Sequence, residues 1–225
     1  MSTPVLRRLA GPRPLVVTGS GRGALHLDLD GFVVTITGPG VPWMPNGIAV
    51  GALRDLPRVA WDPLSPPAWD PVVRPLRGGP EALRALAGWL HGRVRVPEVA
   101  IEGAGARLVG RGPGLTPEGD DILGGAAIGL RALGPASGMA SGRLDLLIRG
   151  LCPPDVRRLT GALSATLLEL AVEGAAAEPV HRLLGTGDRE AALADLRRLG
   201  ASTGGAIAAG IALAAEYLVS ATAQG

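Results

Sequence analysis

The stretch Val109-Gly110-Arg111-Gly112-Pro113-Gly114-Leu115-Thr116-Pro117-Glu118-Gly119-Asp120-Asp121 decides how this chain is read. It is a glycine-rich loop that runs into a helix. Thr116 suits the N-cap, and Pro117 suits the first helical position, where no backbone N–H is needed. Small and apolar residues extend the helix over 117–133, and Gly134-Pro135 is a stop signal. Four glycines concentrate backbone freedom that folding has to remove. Glu118, Asp120 and Asp121 crowd three carboxylates into four positions. Packing alone requires neither feature.

The chemistry of the stretch follows from its position. Gly110, Gly112 and Gly114 expose backbone N–H groups near the positive end of the helix, as in sites that hold phosphate or carboxylate. Gly112, Gly114 and Thr116 are therefore the expected substrate contacts. The adjacent acids would repel an anion. Either a Mg²⁺ ion bridges Asp120 and Asp121 to substrate oxygens, or Arg111 and a second arginine offset the charge. The two aspartates lie about 100° apart around the axis, so they face different partners. A single acid in a first helical turn would only complement the dipole. The cluster, with Asp120, Asp121 and Arg111, reads as a functional site.

Working outward, the residues after the loop read as helical. Helices are expected over 80–90, with Leu83, Leu86 and Leu90 on one face, and over 154–173, with Val156, Leu159, Leu163, Leu167 and Leu170 as the stripe. Asp188 should cap another to about residue 199, and Ser202 or Thr203 should open the last, to about residue 221. The residues before the loop read as β. Strands are expected over 14–18, 24–29 and 32–37, with Asp30-Gly31 as a hairpin turn. The two prolines of 41–50 make that segment a loop or edge, and residues 54–80 form a proline-rich connection with a short strand near 72–76. The fold class is α+β: a β-barrel or sandwich domain over 1–78, then a mainly helical domain over 79–225 that carries the motif.

Composition narrows the chemistry. All 22 basic residues are arginine and lysine is absent, which removes Schiff-base and Walker-type lysines. Cys152 is the single cysteine, so no intrachain disulfide and no CxxC metal site forms. It has no histidine beside it and reads as structural. His26, His91 and His181 lack zinc-binding spacing. A net charge of +2 with dispersed arginines, and 3% aromatic residues, give nucleic acid no footprint. The longest apolar run, 206–215, is too short to span a bilayer, and no apolar signal core follows Arg7-Arg8. A cytoplasmic protein without a membrane partner is expected. Trp43, Trp61, Trp69 and Trp89 read as core or interface anchors.

Two further segments are candidates. Ser202-Thr203 precede Gly204-Gly205 in a small-residue helix, and the motif helix carries Gly124, Gly125 and Gly129. Small residues let helix backbones approach closely. If the two helices pack in parallel, Ser202 and Thr203 come near Asp120 and Asp121; otherwise one of them is only a cap. Asn46-Gly47 is a tight turn by composition and a third candidate for substrate binding.

The run from Gly110 to Gly125 resembles a family of domain-of-unknown-function proteins that includes AllH, a subunit of bacterial oxamate carbamoyltransferase. The family's hallmark is G-x-G-P-G-L-T-P-x-G-D-D-x-L-x-G. Gly200-Ala201-Ser202-Thr203-Gly204 resembles a second segment, G-H-S-S-G, with Ala201 where a histidine is common, and Pro45-Asn46-Gly47 is similar to a third. The resemblance implies carbamoyl transfer between carbamoyl phosphate and a small amide acid such as oxamate, in purine or allantoin catabolism. It also implies an FdrA-like partner and a second partner subunit. A non-catalytic scaffold or ligand-binding subunit, and a Mg²⁺-dependent hydrolase of phosphate esters or glycosidic bonds, are the alternatives.

Overall fold

The computed structural model describes residues 1–9, 16–21, 23–51, 53 and 68–223. Trp61, the start of the strand expected over 14–18, and the prolines of 54–67 lie outside them. The chain divides into two compact units, Met1–Pro71 and Val72–Gly225.

In the first unit, a short helix α1 (Thr3–Arg8) precedes a four-stranded sheet of β1 (Val16–Gly21), β2 (Ala24–Leu29), β3 (Phe32–Thr37) and β4 (Gly47–Ala49), in that order. The first three strands are antiparallel, and β4 runs parallel to β3. Asp30 and Gly31 have φ of 52° and 83°, the two left-handed residues of a tight hairpin turn. Phe32 and Val34 are buried with their partners Leu29 and Leu27, so this face of β2 and β3 forms the unit's core, while Val33 is buried on the opposite face. The expected order of a β-rich part followed by helices holds. Among the described residues the β part is one four-stranded sheet.

The second unit is helical: α2 (Gly79–His91), α3 (Ala104–Leu108), α4 (Glu118–Ser137), α5 (Ser141–Leu151), α6 (Val156–Leu159), α7 (Ala162–Val172), α8 (Glu178–Leu184), α9 (Arg189–Arg197) and α10 (Thr203–Thr222). Every residue of α4 from Gly119 to Leu130 is buried, so α4 is the core around which α10, α7, α5 and α2 pack. The expected stop at Gly134-Pro135 is overrun. Pro135 lies in the last turn, where its missing N–H forfeits one bond, and Gly138 at φ 76° ends the helix instead. The single helix expected over 154–173 is two. Thr160 adopts an extended conformation between α6 and α7, and Gly161 follows. The segment near 72–76 is no regular strand: Val72 makes an isolated bridge to Ala175, and the Leu76 N–H donates to the Ala132 carbonyl at 2.8 Å. Asp188 caps α9 as expected, accepting from the Ala191 N–H at 3.0 Å.

Helices α4 and α10 lie against each other in parallel. Thr116 meets Thr203, a Cβ on Gly125 would collide with the Ile207 carbonyl, and one on Gly129 would lie 2.7 Å from Ala214 Cβ. A Cβ on Gly210 would collide with the Ile122 carbonyl. The two backbones are therefore in contact, which only glycine permits at these positions. The apolar run read as too short to cross a bilayer belongs to a 20-residue helix that is long and apolar enough to do so by length and composition. Most of that helix is buried, and α4 takes its largest share.

Candidate functional site

The motif loop leaves α3 at Val109 and enters α4 at Glu118. Gly110, Gly112 and Gly114 all have positive φ, at 70°, 108° and 109°. Alternating left-handed residues curl the chain back on itself. The Gly119 N–H donates to the Arg111 carbonyl at 2.8 Å and closes the curl, while a Cβ on Gly119 would collide with the Leu108 carbonyl. Thr116 is not the N-cap. Pro117 holds that position without a side-chain cap bond, so the helix starts one residue later than its sequence suggests. The Thr116 hydroxyl is used elsewhere, and this is the physical reason for the shift. It donates to Asp121 Oδ2 at 3.1 Å and pairs with the Thr203 hydroxyl at 3.0 Å.

Asp120 and Asp121 face different partners, as their angular separation requires. Asp120, 3% exposed, accepts from the Gly110 N–H at 2.8 Å on Oδ1, and from Thr160 Oγ1 at 2.5 Å and Ser164 Oγ at 2.7 Å on Oδ2. One buried carboxylate thus ties the loop to the α6–α7 junction. Thr160 and Ser164 were not singled out by sequence reasoning. A usable signal existed in Thr160-Gly161, a β-branched residue followed by glycine inside an otherwise helical pattern. The break frees the Thr160 hydroxyl to reach Asp120.

Asp121, 6% exposed, sits between Thr116 and Thr203. Burial raises its pKa from 3.8 to about 7, with Asp120 and Glu118 adding to the rise and hydroxyl bonds from Thr116 and Thr203 opposing it. A raised pKa means that the native state holds this proton to higher pH than the unfolded chain does. Its stabilisation is therefore complete below about pH 4 and is lost as pH rises through about 7. Three pKa units correspond to a stability difference on the order of 4 kcal/mol. Urea denaturation of Asp121→Asn and the parent across this range checks the sign. The variant gains on the parent as pH rises, and a constant difference would contradict the assignment.

The parallel packing brings Thr203 to Asp121, whereas Ser202 is exposed at the N-cap of α10 without a side-chain cap bond. Arg111, Gly112 and Gly114 are exposed along the loop, with Leu115 at 56% exposure near its tip. Asn46 belongs to the N-terminal unit. It is wholly buried, and its amide donates to the Val33 carbonyl and to Thr35 Oγ1, both at 2.9 Å. Burial raises the Cys152 thiol to about 11, in keeping with a structural role.

Beside the first turn of α4 lies a cleft of about 560 Å³. Glu118 and Ile122 of α4, Gly205 of α10, Arg95, Glu98 and Arg197 line it. Its walls offer two guanidinium and two carboxylate groups, which suits a small molecule carrying both an anionic and an N–H-bearing group. Arg95, Glu98 and Arg197 carry no local sequence signal, because three separate segments converge on the cleft. Among the described residues no three His, Cys, Asp or Glu side chains are grouped as a metal site. Asp120 is already committed to three donors, so a cation here would rest on Asp121 and on substrate oxygens.

The fold and site define an α+β protein whose glycine-rich loop opens the core helix of its helical unit. Residues 108–215 match the family described as oxamate carbamoyltransferase subunit AllH, a segment that spans the loop, α4 and most of α10. No curated protein and no solved structure matches the chain.

Proposed function

We propose that this chain is the AllH-like subunit of an oxamate carbamoyltransferase-type complex, and that its motif loop forms part of the substrate site. The observation that supports this reading most is the meeting of the two motif segments. Thr116 and Thr203, 87 residues apart, join at the N-terminal ends of two parallel helices with the buried Asp121 between them. Two helix N-termini side by side favour an anion. In the reaction, the amide nitrogen of an oxamate-like acid attacks the carbamoyl carbon of carbamoyl phosphate. The C–O bond to phosphate breaks, phosphate leaves with the electron pair, and the nitrogen loses a proton. The N–H groups of Gly112 and Gly114 would hold the phosphate, Arg111 would polarise the carbonyl, and Asp121, with a pKa near neutrality, would take the proton. Asp120 acts as a positioning residue for the loop. A Mg²⁺ ion recruited with substrate would share Asp121.

A second reading, a ligand-binding or scaffold subunit, is favoured by the exposure of residues 111–115, including Leu115. A partner subunit would cover this loop and complete its charge. The hydrolase reading is weaker, since Asp120 is spent on three donors within the chain and is not left to work on a substrate.

The test is reconstitution with the FdrA-like and second partner subunits, following phosphate release from carbamoyl phosphate and oxamate, with and without Mg²⁺. Asp121→Asn is expected to lower kcat by about 100-fold or more, and Arg111→Ala to lower kcat/KM. Full activity of the assembled complex with both variants would eliminate a catalytic role for this loop and leave the scaffold reading.

A further inference from the structure

The N-terminal unit holds a second cavity, of about 200 Å³, lined by Ser2, Thr37, Trp43, Met44, Gly47 and Trp69 among others. Ser2 and Thr37 are each 1% exposed, and among the described residues neither hydroxyl has a hydrogen-bond partner. Buried hydroxyls are almost always paired, so two orphans in the wall of one cavity require an explanation. Their backbones are fixed. The Ser2 N–H donates to the Gly47 carbonyl at 2.9 Å, and the Thr37 carbonyl accepts from the Val50 N–H at 2.8 Å. The backbones therefore do not shift to bring these hydroxyls to other partners.

The aromatic wall points the same way. Trp43 and Trp69 pack edge-to-face with centroids 5.6 Å apart at 65°. Trp43 is nevertheless 51% exposed, which leaves much of a large apolar surface uncovered. Among the described residues, none of the lining side chains is ionisable. The Met1 α-amine, which also lines it, has its pKa lowered by burial. The volume falls below the roughly 300–1,000 Å³ of drug-sized sites, which limits the occupant to about a single ring.

We propose that this cavity binds a small, uncharged, planar molecule with an amide- or ureide-type edge, its ring against Trp43 and Trp69 and its edge hydrogen-bonded by Ser2 and Thr37. A hydroxyl both donates and accepts, so two of them match adjacent C=O and N–H groups without a charged side chain. This site is separate from the carbamoyl-transfer reading and stands whether or not that reading holds.

The test uses the full chain with uracil and ethylene urea as probes and orotate, the uracil ring bearing a carboxylate, as the charged counterpart, followed by ligand-observed NMR. Saturable binding of uracil is expected, with orotate weaker by about tenfold or more. Thr37→Val preserves shape and removes one orphan hydroxyl. It is expected to weaken uracil binding by about tenfold while leaving the melting temperature of the free protein unchanged or higher. Trp43→Leu, at a half-exposed position, is expected to weaken binding similarly and serves as an independent arm. No binding of uracil or ethylene urea at about 10 mM, orotate binding as tightly as uracil, or undiminished binding by both variants would overturn the proposal.

Discussion

Gly210→Ala is expected to destabilise the helical unit by about 3–5 kcal/mol, a large part of the stability of an ordinary domain. The added Cβ would collide with the Ile122 carbonyl and lie 2.6 Å from the Ala126 nitrogen. Both obstacles are backbone, so no side-chain rotation relieves them and α10 has to move off α4. Moving it also disturbs the contacts at Gly125 and Gly129, because the same helix pair makes all three. The control is Gly88→Ala. Gly88 is exposed in the middle of α2 with nothing within 4 Å of an added Cβ. There the substitution gains helix propensity and is expected to stabilise by about 0.5–1 kcal/mol. Urea denaturation of the two variants separates close approach from propensity. Similar midpoints for both would show that the seam tolerates a methyl group.

Asp120→Ala is expected to cost about 3–5 kcal/mol and to release the motif loop. The substitution strands the buried Ser164 hydroxyl, the Thr160 hydroxyl and the Gly110 N–H, all of which donate to this carboxylate. Each buried donor left unsatisfied costs about 1–3 kcal/mol. Asp120→Asn is expected to cost less, about 1–2 kcal/mol, because its oxygen still accepts from Gly110 and the two hydroxyls rotate to accept from its amide. Hydrogen exchange at the Gly110 amide, read with the denaturation midpoint, checks the mechanism. Protection should fall sharply in the alanine variant and little in the asparagine variant. An alanine variant with parental stability and parental Gly110 protection would show that Asp120 does not anchor the loop.

The legible parts of the fold were those with local causes. The hairpin at Asp30-Gly31 follows from two residues that accept positive φ, and the strands on either side, Ala24–Leu29 and Phe32–Thr37, have the bounds their alternation suggests. The Asp188 cap and the buried stripe of Leu83, Leu86 and Leu90 have equally local causes. The helix expected over 154–173 failed at Thr160 because a long-range partner, Asp120, outweighs the local preference there. Thr116 failed as a cap for the same reason, since Asp121 and Thr203 compete for its hydroxyl. Pro135 failed as a stop because only one backbone bond was at stake. At the site, the motif itself was evident from glycine and acid content, and the small-residue stripes announced a close helix pair without fixing its parallel direction, which the meeting of Thr116 and Thr203 supplies. The division of labour between Asp120 and Asp121 was not legible. It depends on Thr160 and Ser164, some 40 residues downstream, which no spacing in the motif announces.

The glycine seam between α4 and α10 also acts as a ruler. A carbonyl of each helix sits where a Cβ of the other would be, at Gly125 and again at Gly210. Sliding α10 by one helical turn, about 5.4 Å, would place Ala206 or Ala214 against the Ile122 carbonyl in place of Gly210 and pull Thr203 away from Thr116. The two halves of the motif are thus kept in alignment by contacts formed deeper in the unit. The connection between α4 and α10 can change in length without altering the distance between the two threonines. A slip of one residue within either helix cannot.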